Sequence, residues 1–318
     1  MTHAHDSGQG SSERHTADGG GGHGQGHRHG HGHGHAAGKG ADFAGAAELL
    51  DVDAEVFSSY LADVVALAVA AVPADRPLRV ADLGCGSGTG TLALLERLPA
   101  AHVTAVDVAG PLLELVAARA TSRGVADRLR TRAADLDAGW PEGLADLDLV
   151  WASTSLHHVA DPPTCLADVR TALVPDGALV LVEIDDVGTF QPTFLAADDG
   201  LESRIWDAVH ADLVEVMPYH GADWGRALTD AGFVVETDRL FDVRLAPPLP
   251  EAAARLAQLS MRRLRDWFAG GAPDRLTPQD AAALAELAGD GPGSVIHREL
   301  APHTLRHVWV ARPAVVGP

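Results

Sequence analysis

Between Leu78 and Ile184, short runs of β-type apolar residues alternate with segments whose apolar residues recur every three or four positions. The runs fall at Leu78–Leu83, Val103–Asp107, Leu129–Ala134, Leu147–Ala152 and Ala178–Ile184, and the helical segments at Gly88–Leu98, Pro111–Arg123 and Pro162–Leu173. A strand that is apolar at consecutive positions must be covered on both faces, and a helical crossover brings successive strands in parallel. The alternation therefore predicts an α/β fold with a doubly wound, mostly parallel sheet. Trp224–Ala231, stopped by Gly232, adds a helix; Phe233–Leu245 and Arg306–Ala311 add two strands, making the sheet seven-stranded.

Two segments interrupt that pattern. Residues 187–220 carry an amphipathic helix on Leu201, Ile205, Val209, Leu213 and Val216, and residues 246–304 carry one on Leu256, Leu259, Leu264 and Trp267 and another on Leu284 and Leu287. Both read as helical cap insertions in a domain spanning 78–318. Upstream, Val56, Tyr60, Val64, Leu67 and Ala71 share a helical face before Pro73, so residues 41–77 read as an N-terminal helical cover.

VADLGCGSGTG at 80–90 follows a predicted strand and opens a predicted helix. Glycines at 84, 86 and 88 allow a tight turn and a close backbone approach, and free amides at the helix start receive an anionic group. A dinucleotide fingerprint needs G-x-G-x-x-G, but the third position is Thr89 counted from Gly84 and Thr91 counted from Gly86. A phosphate loop needs a lysine here, and the chain's single lysine is Lys39. What remains is an acid, one residue, then G-x-G-x-G: Asp82, Gly84, Gly86 and Gly88.

This pattern resembles the first motif of class I S-adenosylmethionine-dependent methyltransferases. Asp107, in TAVD, stands where that family has the acid that holds the ribose hydroxyls, and Asp135 where it has the acid near the adenine amine, with Leu136 beside the ring. LDLVWASTSLHHV at 147–159 and LVPDGALVLVE at 173–183 look like the subgroup of ubiquinone, menaquinone and natural-product methyltransferases acting on small molecules. The resemblance covers roughly residues 56–185 and implies a Rossmann-like methyltransferase fold. It implies S-adenosylmethionine as cofactor, held by Asp82, Gly84, Cys85, Gly86, Gly88, Asp107, Val108, Asp135, Leu136 and Ser153. After Asp107 the chain reads VAGPLL and lacks the family's commoner Ser-Pro, although Pro111 can still take a first helical position.

Ligands in such sheets gather at the carboxyl ends of the strands, where His157, His158 and Glu183 lie. Methyl transfer from a sulfonium needs positioning, and for a hydroxyl acceptor also a base. These three residues are the catalytic candidates; for each histidine the competing reading is structural packing behind the loop. Tyr219 and His220 read first as an exposed loop pair, and alternatively as residues that reach the same cleft. DPPT at 161–164 looks like the Asn/Asp-Pro-Pro-aromatic loop of nucleic-acid amino-methylating enzymes, but it follows HHVA and ends in Thr164. Helix capping by Asp161 with Pro162 in the first turn accounts for it.

Charge narrows the partners. The formal net charge of −20 sits wholly on residues 41–318, because the first forty residues hold three acids and three bases. A body so acidic disfavours nucleic acid as a partner. Those forty residues hold nine of the seventeen histidines and thirteen glycines, a composition that predicts a disordered tail. In HRHGHGHGH, His27, His29, His31, His33 and His35 offer imidazoles to a divalent metal, read as adventitious. Two cysteines, no signal-peptide core and no apolar run near the ~20 residues that span a bilayer point to a cytoplasmic protein with no membrane anchor. The expected activity is methylation of a small-molecule acceptor, with oxygen favoured as nucleophile. The alternative is a noncatalytic protein that binds adenosylmethionine or responds to metal.

Overall fold

The computed structural model describes residues 43–73, 75–184, 192–197, 199–217, 219–271 and 273–315. The histidines expected to bind metal, from His27 to His35, and the expected disordered tail lie outside them.

The chain opens with helices α1 (Phe43–Val56) and α2 (Ser58–Ala70). The sheet unit then runs β1 (Leu78–Leu83), α3 (Thr89–Arg97), β2 (Ala101–Asp107), α4 (Gly110–Ser122), β3 (Leu129–Ala133), β4 (Leu147–Ser153), α5 (Pro162–Ala172) and β5 (Leu173–Glu183). Beyond it come β6 (Thr193–Leu195), α6 (Leu201–Val216), α7 (Trp224–Asp230), β7 (Phe233–Arg244), α8 (Ala253–Gly271), α9 (Pro278–Leu287) and β8 (Leu300–Pro313). Asp161 accepts from the Thr164 amide at 3.2 Å and caps α5, so DPPT is a helix start.

The first five strands pair in parallel in the order β3-β2-β1-β4-β5, and β8 joins β5 antiparallel. The sheet has eight strands, one more than the sequence predicts. The additional strand is β6, three residues whose Thr193 and Leu195 pair with His303 and Leu300 of β8. β7 lies along the other edge of β8 from Phe233 to Arg244. The upper half of β8 thus rises past the end of β5 and forms a wall above the carboxyl ends of the central strands.

The central strands are buried on both sides, as their mostly apolar runs require. In β5, Leu179 and Leu181 face a core with Leu166 and Val169 of α5 and Trp224 and Leu228 of α7. Val180 and Val182 face the opposite core, with Val64 and Val65 of α2 and Leu94 and Leu95 of α3. Each such side chain contributes ~1.5 to 3 kcal/mol on burial. A third core joins Ile205 and Val209 of α6, Leu256 and Met261 of α8 and Leu284 of α9 to Val56 and Phe57. That third core sets the helices of the two interrupting segments beside the N-terminal helices.

Candidate active site

The glycine loop takes its shape from positive φ angles and from close neighbours. Gly84 has φ +66°, and a Cβ there would lie 2.5 Å from Cβ of Ser155. Ser155 Oγ donates to the Leu83 carbonyl at 2.8 Å, so the loops after β1 and β4 are bonded where they touch. Gly88, at φ +84°, starts α3 with no room for a side chain, since Val116 Cγ2 would stand 2.6 Å from its Cβ.

Asp107, 8% exposed at the end of β2, organises this loop. Its Oδ2 accepts the Gly86 amide at 2.9 Å and its Oδ1 accepts the Ala109 amide at 2.8 Å. Each oxygen keeps a lone pair, so ribose hydroxyls have an acceptor without loss of the loop bonds. Val108 beside it is exposed, the apolar surface a purine ring needs. Asp135 accepts from the Asp137 amide at 3.0 Å, Leu136 is half-buried, and Ser153 ends β4 half-buried.

Asp82 and Cys85 face inward. Asp82 is 2% exposed and Thr91 Oγ1 donates to its Oδ2 at 2.5 Å, so its carboxyl supports the loop from beneath. Burial pushes it up from 3.8 to about 7, against the pull of the Thr91 bond. A proton is thus held more tightly in the folded chain. The resulting stabilisation is fully present below pH 3.8 and is lost as pH rises through about 7. Asp82→Asn is therefore expected to flatten the fall in stability between these limits, as read by urea unfolding at pH 4.5 and 7.5. An unchanged slope would refute the assignment. The Cys85 thiol packs among Ala105, Leu113 and Val116, and burial pushes it up, as it pushes that of Cys165 up to about 12. Neither is a thiolate at neutral pH.

Sequence patterns miss a connection from α1 to the loop. Arg119 of α4 donates to the Ser87 carbonyl at 2.9 Å and pairs with both oxygens of Asp51 in α1. Leu50 of the same helix reaches the face of Gly86. The N-terminal helix is therefore fastened over the glycine loop by residues 68 positions apart, beyond any local signal.

Beside the loop, β4 and β5 bring together the catalytic candidates. His157 Nδ1 lies 2.6 Å from Glu183 Oε2, with the two side chains 5% and 1% exposed. Glu183 Oε1 accepts the amides of Leu156 at 2.9 Å and His157 at 3.3 Å. A carboxyl that receives amides on one oxygen is an acceptor, so Nδ1–H donates to the other and Nε2 is the ring nitrogen outside the pair. The His158 ring packs 4.1 Å from that of His157. His220, which the sequence leaves between cleft and loop, is 8% exposed with its ring 5.1 Å from His157. Burial, with His157 and His210 nearby, pushes His220 down to about 3 and keeps it neutral. Tyr219 packs half-buried against the core under α7. Among the described residues no group of three or more His, Cys, Asp or Glu side chains could hold a metal ion, and no helix is long and apolar enough to cross a membrane.

A parallel sheet with a glycine turn after its first strand and an acid closing its second defines a nucleoside-binding α/β fold. Residues 80–177 match the family model described as a methyltransferase domain. Malonyl-[acyl-carrier protein] O-methyltransferase of Laribacter hongkongensis is 31% identical over 174 residues, covering 52% of this chain and 54% of its own. Demethylmenaquinone methyltransferase of Thermus thermophilus is 34% identical, covering 34% and 47%. A solved Bacillus halodurans structure described as a methyltransferase superposes with TM-score 0.51 at 17% identity, covering 81% of this chain and 100% of its own, and shows the shared fold. The chain spans about half or less of the length of the first curated relatives it matches. Residues 80–177 are a class I S-adenosylmethionine-dependent methyltransferase domain. The left-handed glycines, the spare lone pairs of Asp107 and the exposed Val108 fit that cofactor.

Proposed function

We propose that this chain methylates an oxygen of a small-molecule acceptor, with His157 as general base. The observation that carries the reading is the buried His157–Glu183 pair, which takes up Nδ1 and leaves Nε2 outside the pair at the carboxyl ends of β4 and β5. When bound, S-adenosylmethionine supplies a methyl group on a positively charged sulfur. Gly84, Gly86 and Gly88 would hold it through backbone, Asp107 would accept from its ribose hydroxyls, and Val108, Asp135 and Leu136 would receive its base. His157 Nε2 takes the acceptor's hydroxyl proton, and Glu183 stabilises the imidazolium that results. His158 narrows the approach to His157. Helices α6, α8 and α9, with α1, act as the cap that excludes water and shapes the acceptor site.

Support for oxygen comes from relatives named as O-methyltransferases. The test is incubation with S-adenosylmethionine and an acceptor panel, following S-adenosylhomocysteine and the methylated product by mass spectrometry. Cofactor binding with no product from any hydroxyl or carboxyl acceptor would favour the noncatalytic alternative.

The histidine-rich segment is proposed to bind divalent metal apart from the reaction. A chain starting at Gly40 is expected to keep turnover within a few-fold of the full chain, with or without chelator, because residues 1–40 have almost no apolar side chains to dock. A loss above roughly tenfold, ~1.4 kcal/mol of barrier, would place that segment in the active site.

A further inference from the structure

Arg306 is the cation set into the β8 wall above the end of β5. Its cross-strand partner is Phe241, and its neighbour His307 is paired with Glu183. The side chain is 10% exposed. One terminal nitrogen, NH1, is committed to Thr304 Oγ1 and, at 2.9 Å, to the Leu305 carbonyl. Those bonds fix the guanidinium plane. A guanidinium has five N–H donors, so the Nε and NH2 edge remains, the edge that takes a carboxylate through two parallel bonds. Among the described residues nothing accepts a hydrogen bond from that edge. The nearest acid, Asp53 Oδ1 of α1, stands 3.7 Å from NH2.

Two groups flank Arg306, Asp53 of α1 and Tyr60 of α2. The Asp53 side chain keeps 34% of its surface, yet enclosure by protein raises its carboxyl, with Arg306 opposing. Tyr60 of α2 is likewise half-buried and enclosed, and its hydroxyl is raised by desolvation and by the charges of Asp53 and Glu183, against Arg306. Its ring is held edge-on at 5.2 Å by Phe241, and the described residues offer its hydroxyl no hydrogen bond. Arg306 stands one residue along β8 from His307, the cross-strand partner of Glu183, and so lies close to the carboxyl end of β5.

An arginine buried this deeply with a 3.7 Å counter-ion is poorly neutralised. In a chain of net charge −20 an anionic acceptor is disfavoured by the overall field, so its binding calls for a local cation. We propose that Arg306, with the Tyr60 hydroxyl beside it, is the subsite that anchors a carboxylate of the acceptor, which makes the substrate class a small organic acid. The proposal rests on the methyl-transfer reading and deepens it. The anchored carboxylate is distinct from the oxygen presented to His157, since a guanidinium bonded to the nucleophile would withdraw its charge. Asp53 is the internal counter-ion that the incoming acid displaces.

The test is calorimetric, on the full chain with S-adenosylhomocysteine present. Succinate, trans-aconitate and salicylate are titrated beside their amides. At least one acid is expected to bind tenfold or more tightly than its amide. Arg306→Gln should remove that preference, Tyr60→Phe should weaken the acid several-fold, and Asp53→Asn should tighten it. Affinity for S-adenosylhomocysteine should stay within about twofold in all three. Acids that bind no better than their amides, or an unchanged preference in Arg306→Gln, overturn the subsite. If Arg306→Gln does not fold, acid affinity that fails to rise in Asp53→Asn overturns it instead. Absence of S-adenosylhomocysteine binding by the wild type would sink the methyl-transfer reading while the acid titrations still decide the subsite.

Discussion

His157→Ala is expected to lower turnover by ~10² to 10⁴ while leaving affinity for S-adenosylhomocysteine within a few-fold, the range a positioned general base contributes. The separation of effects follows from the architecture. His157 is held by β5 through Glu183, whereas the glycine loop is held by β2 through Asp107. Glu183→Gln should also be damaging, since an amide returns a weaker partner to Nδ1 and leaves the amides of Leu156 and His157 a neutral acceptor. His220 adds no ionisation near neutrality, because burial holds it near 3. Near wild-type turnover by His157→Ala on the true acceptor would remove general-base catalysis, leaving an acceptor that is already nucleophilic and a site that works by positioning.

Where the sequence was legible, the reason was local. Strand β1 occupies the predicted Leu78–Leu83, because a strand buried on both faces carries apolar residues at neighbouring positions, here Leu78, Val80, Ala81 and Leu83. The Asp161 cap and Pro162 start of α5 were readable because a capping bond spans three residues. The amphipathic spacing of Leu201, Ile205, Val209 and Leu213 likewise matched the buried face of α6. The break between α1 and α2 was not visible, since Phe57 at the junction is neither Gly nor Pro and its amide still reaches the Asp53 carbonyl at 2.9 Å. β6 is too short to show a period.

The site divides in the same way. Asp82, the three glycines and Asp107 were found as an ordered motif, and His157 with Glu183 by position at adjacent strand ends. Which histidine meets the carboxyl was not readable, because one residue's difference in a short 3-10 turn, Leu156–His158, turns one ring inward and leaves the other half-buried. Asp51 with Arg119, and Asp53 and Tyr60 with Arg306, were invisible because each joins segments far apart in the chain. The Asp51 and Asp53 contacts exist only after α1 has docked on the sheet.

Asp107→Ala is expected to lower affinity for S-adenosylhomocysteine by at least ~10²-fold and also to lower the unfolding temperature. Two losses act together. The ribose loses its carboxylate acceptor, and the amides of Gly86 and Ala109 lose theirs while remaining part-buried. A hydrogen bond to a charged group contributes ~1.5 to 3 kcal/mol, and tenfold in affinity is ~1.4 kcal/mol, so one such bond per hydroxyl already accounts for the binding loss. The amide bonds are present without ligand and therefore appear in stability. Asp107→Asn separates the two, since its single carbonyl can serve only one amide and its NH2 opposes the other. It should fall between wild type and alanine in both calorimetry and thermal unfolding. Undiminished binding by Asp107→Ala in a folded chain would show that the cofactor is held elsewhere. A binding loss with no change in unfolding would show that the loop keeps its shape without the carboxylate, leaving Asp107 as a ligand contact alone.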